Sequence, residues 1–185
     1  MENLDKNESQ SVPERDTIAA LVELSKAEGH NVKEVSVWGH DSVVVPEGEV
    51  GVIPTEELNG CHVSIIAAEY PDGQKSVSMT HFPPELGARR YIESLEEIHA
   101  AIIASNGKVS TLVTLTASDR FPKEVVALTE LFPDIELVAL SYKARDKTRR
   151  ESPDAGSCVA ILDRRDSANQ VLHVATDSGD VMIAA

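Results

Sequence analysis

The feature that most constrains the fold of this chain is a pair of short apolar runs joined by a strong turn signal. The run CHVSIIAAEY, residues 61–70, is bounded by polar residues, and SVSMTHF, residues 76–82, alternates polar and apolar side chains. Between them lies Pro71-Asp72-Gly73, in which proline fixes one backbone dihedral and glycine supplies the left-handed one. The pattern therefore predicts two antiparallel strands that form a hairpin.

The open end of this predicted hairpin carries a possible nucleophile and base. With the loop centred near Pro71, Cys61 would lie almost opposite His81, where paired Cβ atoms are about 4.5–5.5 Å apart. An imidazolium beside a thiol lowers the pKa of the thiol and yields a nucleophilic thiolate. A register slip of one residue would put the two side chains on opposite faces. The alternative is a cysteine that only fills the core, because cysteine is among the most buried residue types.

The residues around this pair also form a motif set. Thr55 lies six residues before Cys61, which ends the segment Leu58-Asn59-Gly60-Cys61, and His81 follows downstream. This set resembles the threonine, the L-S-G-C segment and the histidine of the bacterial Cys-His glutamine deamidases. That group includes the cytotoxic necrotizing factor, the Burkholderia lethal factor and the chemoreceptor glutamine deamidase. Two positions differ from the family. Asn59 replaces the serine that precedes Gly-Cys in the toxins, and Gly60 replaces the serine that precedes the cysteine in the chemoreceptor enzyme.

Two later segments extend the resemblance over roughly residues 40–185. The first is similar to the N-H-F segment and the A-R-Y helix start of the chemoreceptor enzyme, and it consists of Thr80-His81-Phe82 followed by Ala88-Arg89-Arg90-Tyr91. The segment VATDSGDV, residues 174–181, is similar to the family's closing hairpin, aromatic-x-D-T-G-x-V. Thr80 replaces the family's asparagine, and the interval from cysteine to histidine is longer than in the family.

The resemblance implies an α/β fold, a layered sandwich of mixed, largely antiparallel sheet with flanking helices, as in the chemoreceptor glutamine deamidase. It implies hydrolysis of a glutamine side chain in a partner protein through a thioester, without a metal or other cofactor. Cys61 would be the nucleophile, His81 the base and Thr55 the residue that orients the histidine. Backbone N–H groups around Gly60 would stabilise the oxyanion. The alternatives are a catalytically silent, partner-binding domain of the same fold and a regulatory α/β domain whose Cys and His are incidental.

A second cysteine offers a second-choice nucleophile. The segment GSCVA, residues 156–160, matches the G-S-C-V-A text of the chemoreceptor enzyme, and His173 follows Cys158 by fifteen residues. We nevertheless expect Cys158 to be a buried strand residue. A metal site built from Cys61, His62 and His81 is disfavoured, since adjacent residues on a strand point to opposite faces.

Charge and composition exclude several function classes. The net charge of −14 argues against a general nucleic-acid surface and against docking on an anionic membrane. No apolar run reaches the roughly 20 residues that a bilayer requires, and no signal segment precedes the first helix. Two cysteines far apart do not make a disulfide framework. These features predict a cytoplasmic protein, or a secreted effector without a cleaved signal peptide.

Along the chain, residues 1–15 are predicted to form a disordered acidic tail, and residues 16–185 a single deamidase-like domain. Helices are expected from Asp16 to about Glu28, from the Pro83-Pro84 pair to about Asn106, and from Ser118 or Asp119 through Phe132. The segment that leads from Pro46 to Cys61 is expected to be rich in loops. Strands are expected within residues 32–45, 109–116, 135–142, 156–161 and 170–185. The second and third of these are interpreted as a βαβ crossover or, alternatively, as an antiparallel variant. The basic run at residues 143–150 is interpreted as a solvated loop or, alternatively, as a docking patch for an acidic partner.

Overall fold

The computed structural model describes residues 15–58, 60–83, 88–117, 123–142, 156–176 and 179–185. The predicted tail, the basic run at residues 143–150 and the turn at residues 177–178 therefore lie largely or wholly outside the described residues. Arg15, which was assigned to the tail, begins the first helix. The elements are α1 Arg15–Ala27, β1 Asn31–Val32, β2 Gly39–Val45, β3 Val50–Leu58, β4 His62–Glu69, β5 Lys75–Phe82, α2 Ala88–Ala104, β6 Lys108–Ala117, α3 Lys123–Leu131, β7 Leu137–Tyr142, β8 Gly156–Asp163, β9 Val171–Thr176 and β10 Gly179–Ala184.

The strands form two five-stranded sheets. The first sheet has the order β1-β3-β8-β9-β10 and the second has the order β2-β5-β4-β6-β7. Within each sheet one neighbouring pair, β1–β3 or β6–β7, is parallel, and the others are antiparallel. The predicted fold class, a layered α/β sandwich with mixed, largely antiparallel sheet, is confirmed. The parallel β6–β7 pair, connected through α3, also confirms the predicted βαβ crossover.

Apolar side chains fill the space between the two sheets and cover both outer faces. The largest core cluster joins inward-facing residues of both sheets, including Ile53, Ile65 and Ala160. On the outer face of the first sheet, Ile18 of α1 packs on a second cluster. On the outer face of the second sheet, side chains of α2 and α3 form a third. The order of layers is therefore α1, first sheet, second sheet, then α2 with α3.

The predicted hairpin is present as β4 and β5, but its register differs from the expectation. Val63, and not Cys61, lies opposite His81, because the last pair before the turn is Glu69–Lys75 and the loop is centred at Asp72. A shift of the centre by one residue moves the register by two residues. The side-chain parity is therefore kept, so Cys61 remains on the same face as His81.

The expectation of a loop-rich segment leading from Pro46 to Cys61 is wrong for most of its length. Val50–Leu58 forms β3, which lies between β1 and β8. Proline is tolerated there because the Pro54 nitrogen faces the β1 side, where regular pairing has already ended at Val52. The Pro54 carbonyl still accepts a hydrogen bond from the backbone N–H of Val35. The prolines were thus a misleading sign of loop structure.

Candidate active site

Thr55 and His81 connect the two sheets at one end of the sandwich. Thr55 lies in β3 and His81 in β5, and both side chains are fully buried. The Thr55 hydroxyl donates to the Val35 carbonyl at 2.6 Å, and its oxygen lies 2.7 Å from His81 Nδ1. A hydroxyl has a single hydrogen to donate. Because the carbonyl takes that hydrogen, Nδ1 must be the donor to Thr55, which assigns the neutral ring the Nδ1–H tautomer.

This tautomer leaves the other ring nitrogen of His81 as a base. Nε2 carries the lone pair, is buried, and has no hydrogen-bond partner within the part of the chain that the structure describes. Burial lowers the pKa of His81 from 6.5 to about 4, because the charged form loses its hydration. The ring is therefore neutral near pH 7. With this pKa the buried ring is a weak base for a thiol proton, and it differs from the expected imidazolium that would sustain a thiolate at rest.

Cys61 immediately precedes β4 and faces the same core as His81. It is 6% exposed and packs in the cluster between the sheets. Since Val63 is paired with His81, Cys61 is a diagonal neighbour of the histidine, a position for which residues are typically about 7–8 Å apart and their Cβ atoms somewhat closer. Gly60, just before it, has φ of +81°, a conformation that favours glycine. The Cys61 carbonyl accepts a hydrogen bond from the Tyr142 hydroxyl of β7.

Cys158 lies at the same end of the sandwich, in the first sheet. It is a fully buried residue of β8, paired with Thr55 of β3 on one side and with Thr176 of β9 on the other. His173 is paired with Ile161, three positions along the strand, and so faces away from Cys158. The His173 side chain bonds Asp180 at 2.9 Å. The strand register thus separates Cys158 from His173 and brings it beside Thr55.

His62 forms a separate buried polar cluster on the outer face of the second sheet. Its Nε2 lies 3.0 Å from the Thr114 hydroxyl and 3.3 Å from the Ser64 hydroxyl, and Ser64 contacts the Tyr91 hydroxyl at 2.8 Å. Burial lowers the pKa of His62 to about 4. His62 and His81 therefore face opposite sides of one sheet, as strand alternation predicts.

Sequence reasoning missed two groups that touch the site. The Val35 carbonyl fixes the tautomer of His81 through Thr55, and a backbone carbonyl has no sequence signal. Tyr142 lies at the end of a predicted strand, but its contact with Cys61 spans 81 residues of sequence. Such a contact depends on the order of strands in the sheet, which local patterns do not give.

Comparison with known proteins gives a weak similarity of fold. No family model and no curated protein matches the chain. Among solved structures, the C-terminal domain of CNFy from Yersinia pseudotuberculosis is similar with a TM-score of 0.41 and 16% identity, over 82% of this chain. The match spans 60% of the length of that domain. In the described residues, no helix is long and apolar enough to cross a membrane.

Proposed function

We propose that the chain is a cysteine-dependent deamidase that hydrolyses the side-chain amide of a glutamine in a partner protein. The observation that supports the proposal best is the arrangement of His81. Its Nδ1 is held by Thr55 at 2.7 Å, and its Nε2 lone pair is unpartnered among the described residues. Cys61 faces the same core, one diagonal step away in the sheet. A base of fixed tautomer on the same face as a thiol supplies the two groups that nucleophilic cysteine catalysis needs.

The proposed reaction has two halves. Cys61 Sγ attacks the amide carbon while His81 Nε2 takes the thiol proton, and the tetrahedral intermediate forms. Its carbon–nitrogen bond then breaks, ammonia leaves with the proton from Nε2, and a thioester remains. Water next gives a proton to Nε2 and attacks the thioester. The carbon–sulfur bond breaks, the thiolate recovers the proton, and a glutamate side chain is released.

Thr55 is a positioning residue in this scheme. Its oxygen accepts a hydrogen bond from Nδ1–H, which stabilises the imidazolium that forms in each half-reaction and keeps Nε2 turned away from the hydroxyl. Backbone N–H groups around Gly60 and Cys61 would donate to the oxyanion, and the left-handed φ of Gly60 permits a close approach of the substrate. Tyr142 holds the Cys61 carbonyl and so limits the freedom of this segment.

Burial favours a second candidate function, a catalytically silent domain of the same fold that binds a partner protein. Thr55 and His81 have no exposed surface and Cys61 is only 6% exposed, so the described structure gives a protein substrate no direct access to the thiol. In that case the same residues would serve only to pack the two sheets. Reactivity of the folded protein separates the two candidates.

The test is alkylation by iodoacetamide near pH 7, with peptide mass spectrometry to assign each modified cysteine. A deamidase should lose Cys61 while it is folded, and His81→Gln should slow that loss by about tenfold or more, the low end of general-base effects. His62→Gln is the matched control, since it removes another buried histidine from the opposite face of the same sheet. Modification of both thiols only on unfolding would leave the silent domain as the function.

The substrate is sought with a trapping variant. Cys61→Ser should retain the partner protein in a pull-down, with Cys158→Ser as the control for loss of the other thiol. The captured protein is then incubated with wild type, Cys61→Ser or Cys158→Ser. A glutamine converted to glutamate by wild type and Cys158→Ser, but not by Cys61→Ser, would establish the reaction. Equal conversion by Cys61→Ser would exclude Cys61 as the nucleophile.

A further inference from the structure

We propose that a cavity at the opposite end of the sandwich, lined by Arg164 and Lys75, binds a small molecule with one carboxylate on an apolar body. Lys75 begins β5 and His81 lies near its end, so the cavity is about 20 Å from the imidazole at the usual rise of a strand. This inference does not depend on the deamidase proposal. It rests on a buried cation whose hydrogen bonds and charge are incompletely matched.

Arg164 follows β8 and is only 3% exposed. Its Nε donates to Gln170 Oε1 at 3.4 Å, Nη1 donates to the Val45 carbonyl, and Nη2 donates to the Gly73 carbonyl at 2.7 Å. A guanidinium has five N–H groups. Two of them are left without an acceptor among the described residues, and Gly73 and Gln170, two of its partners, themselves line the cavity.

The charge of Arg164 is also unbalanced. Its three partners are neutral oxygens, and no carboxylate of the described residues pairs with it. The acidic residues nearest in sequence are engaged elsewhere, because Asp163 binds Arg165 at 2.6 Å and Asp166 binds Asn169 at 2.8 Å. A buried cation without a counter-ion is costly, and a carboxylate with two oxygens can accept two guanidinium N–H bonds.

The cavity has a suitable size and lining for such a ligand. Its volume is about 750 Å³, within the range of small-molecule sites. Val171, Ile183 and Met182 contribute apolar lining, and Met182 is 61% exposed although it is a large apolar residue. Lys75 also lines the cavity, but its ammonium is already paired with Glu69 at 2.9 Å, so Arg164 is the cation left for a ligand. Glu47 lines the same cavity and would oppose a ligand with further negative charge. The lining therefore favours a monocarboxylate with an apolar chain over a polyanion.

The experiment is a titration of the full chain, labelled with ¹⁵N, followed by amide chemical shifts. Sodium hexanoate is the probe, hexan-1-ol supplies the same apolar body without charge, and inorganic phosphate supplies charge without the apolar body. We expect saturable shifts with hexanoate at the amides of residues 167–171 and 182–185, and none with the other two. Equal binding of hexanol, equal binding of phosphate, or no saturable shift with hexanoate would each overturn the proposal.

Variants locate the site. Arg164→Gln should weaken hexanoate binding about tenfold or more, as expected for loss of a charged hydrogen-bond donor. Arg165→Gln, which removes the same charge one residue later from an exposed side chain, should change it less than about twofold. Since Arg164 also ties three segments together, Ala168→Phe provides a test that leaves the guanidinium in place. It should block the cavity, and unchanged binding in Ala168→Phe would contradict the assignment.

Discussion

Replacing Thr55 by valine tests the central contact between the two sheets. The hydroxyl lies between the Val35 carbonyl at 2.6 Å and His81 Nδ1 at 2.7 Å, and all three groups are buried. Valine has nearly the same shape but neither donates nor accepts a hydrogen bond. Thr55→Val therefore removes the bridge without opening a cavity, and it leaves one buried acceptor and one buried donor unsatisfied.

The expected cost follows from those two groups. An unsatisfied buried polar group costs about 1–3 kcal/mol, so Thr55→Val should lower the free energy of unfolding by about 2–6 kcal/mol. Thr55→Ser is the matched control, because it keeps the hydroxyl and loses one methyl group, at a cost of about 1 kcal/mol. The difference between valine and serine at this position isolates the hydroxyl.

Urea unfolding of the two variants measures this difference, provided that the slope of the transition stays the same. The ¹⁵N shifts of the His81 ring supply a second measurement. In wild type and Thr55→Ser, Nε2 should have the shift of an unprotonated nitrogen, whereas Thr55→Val should show a mixture of tautomers. If Thr55→Val is no more destabilising than Thr55→Ser and the ring keeps its tautomer, then the Thr55 hydroxyl does not fix the tautomer of His81.

Two further predictions concern the pH dependence and the packing of the sandwich. The pKa values of His62 and His81 are lowered from 6.5 to about 4, so the unfolded chain binds more protons between these values and stability should fall as the pH decreases from 6.5. Each histidine should lower the free energy of unfolding by about 2 kcal/mol between pH 7 and pH 5. Urea unfolding of His62→Gln should therefore show a smaller decrease over this range than wild type. An unchanged pH dependence in this variant would contradict the lowered pKa of His62. Gly51→Ala would place a Cβ 2.3 Å from Val45 Cγ2 and should cost about 1–3 kcal/mol in urea unfolding. Adding Val45→Ala should then make the Gly51→Ala substitution less costly than it is beside valine, and equal costs in both backgrounds would exclude the clash.

The parts of the fold that local sequence determines were predictable. The Pro71-Asp72-Gly73 turn and its flanking runs predicted β4 and β5, and helical spacing predicted α2. The strand β3 was not predicted, since Pro54 is compatible with it only because its nitrogen faces the short edge strand β1, where regular pairing ends at Val52, and not β8. Compatibility of this kind depends on a neighbouring strand, and no local pattern describes it.

The candidate site was likewise predictable only where it depends on local sequence. Alternation of side chains predicted that Cys61 and His81 share a face, but the pairing of Val63 with His81 depends on how many residues the turn takes. The contact of Thr55 with His81 joins different sheets and came only from a family resemblance. No sequence pattern predicted that Cys158 lies beside Thr55, because their proximity requires β3 and β8 to be neighbours in the sheet.

The lowered pKa of His81 links catalysis to access. A base with a pKa of about 4 has little affinity for the proton of a thiol, and the cause of the low value is the burial that also keeps substrate away. Any movement that admits an amide and water would rehydrate the ring and raise its pKa toward 6.5, where general bases act well near neutral pH. In a deamidase built this way, the same opening would give access to Cys61 and make His81 basic. The iodoacetamide experiment tests this opening as well, because Cys61 of the folded protein reacts near pH 7 only if the site opens without unfolding.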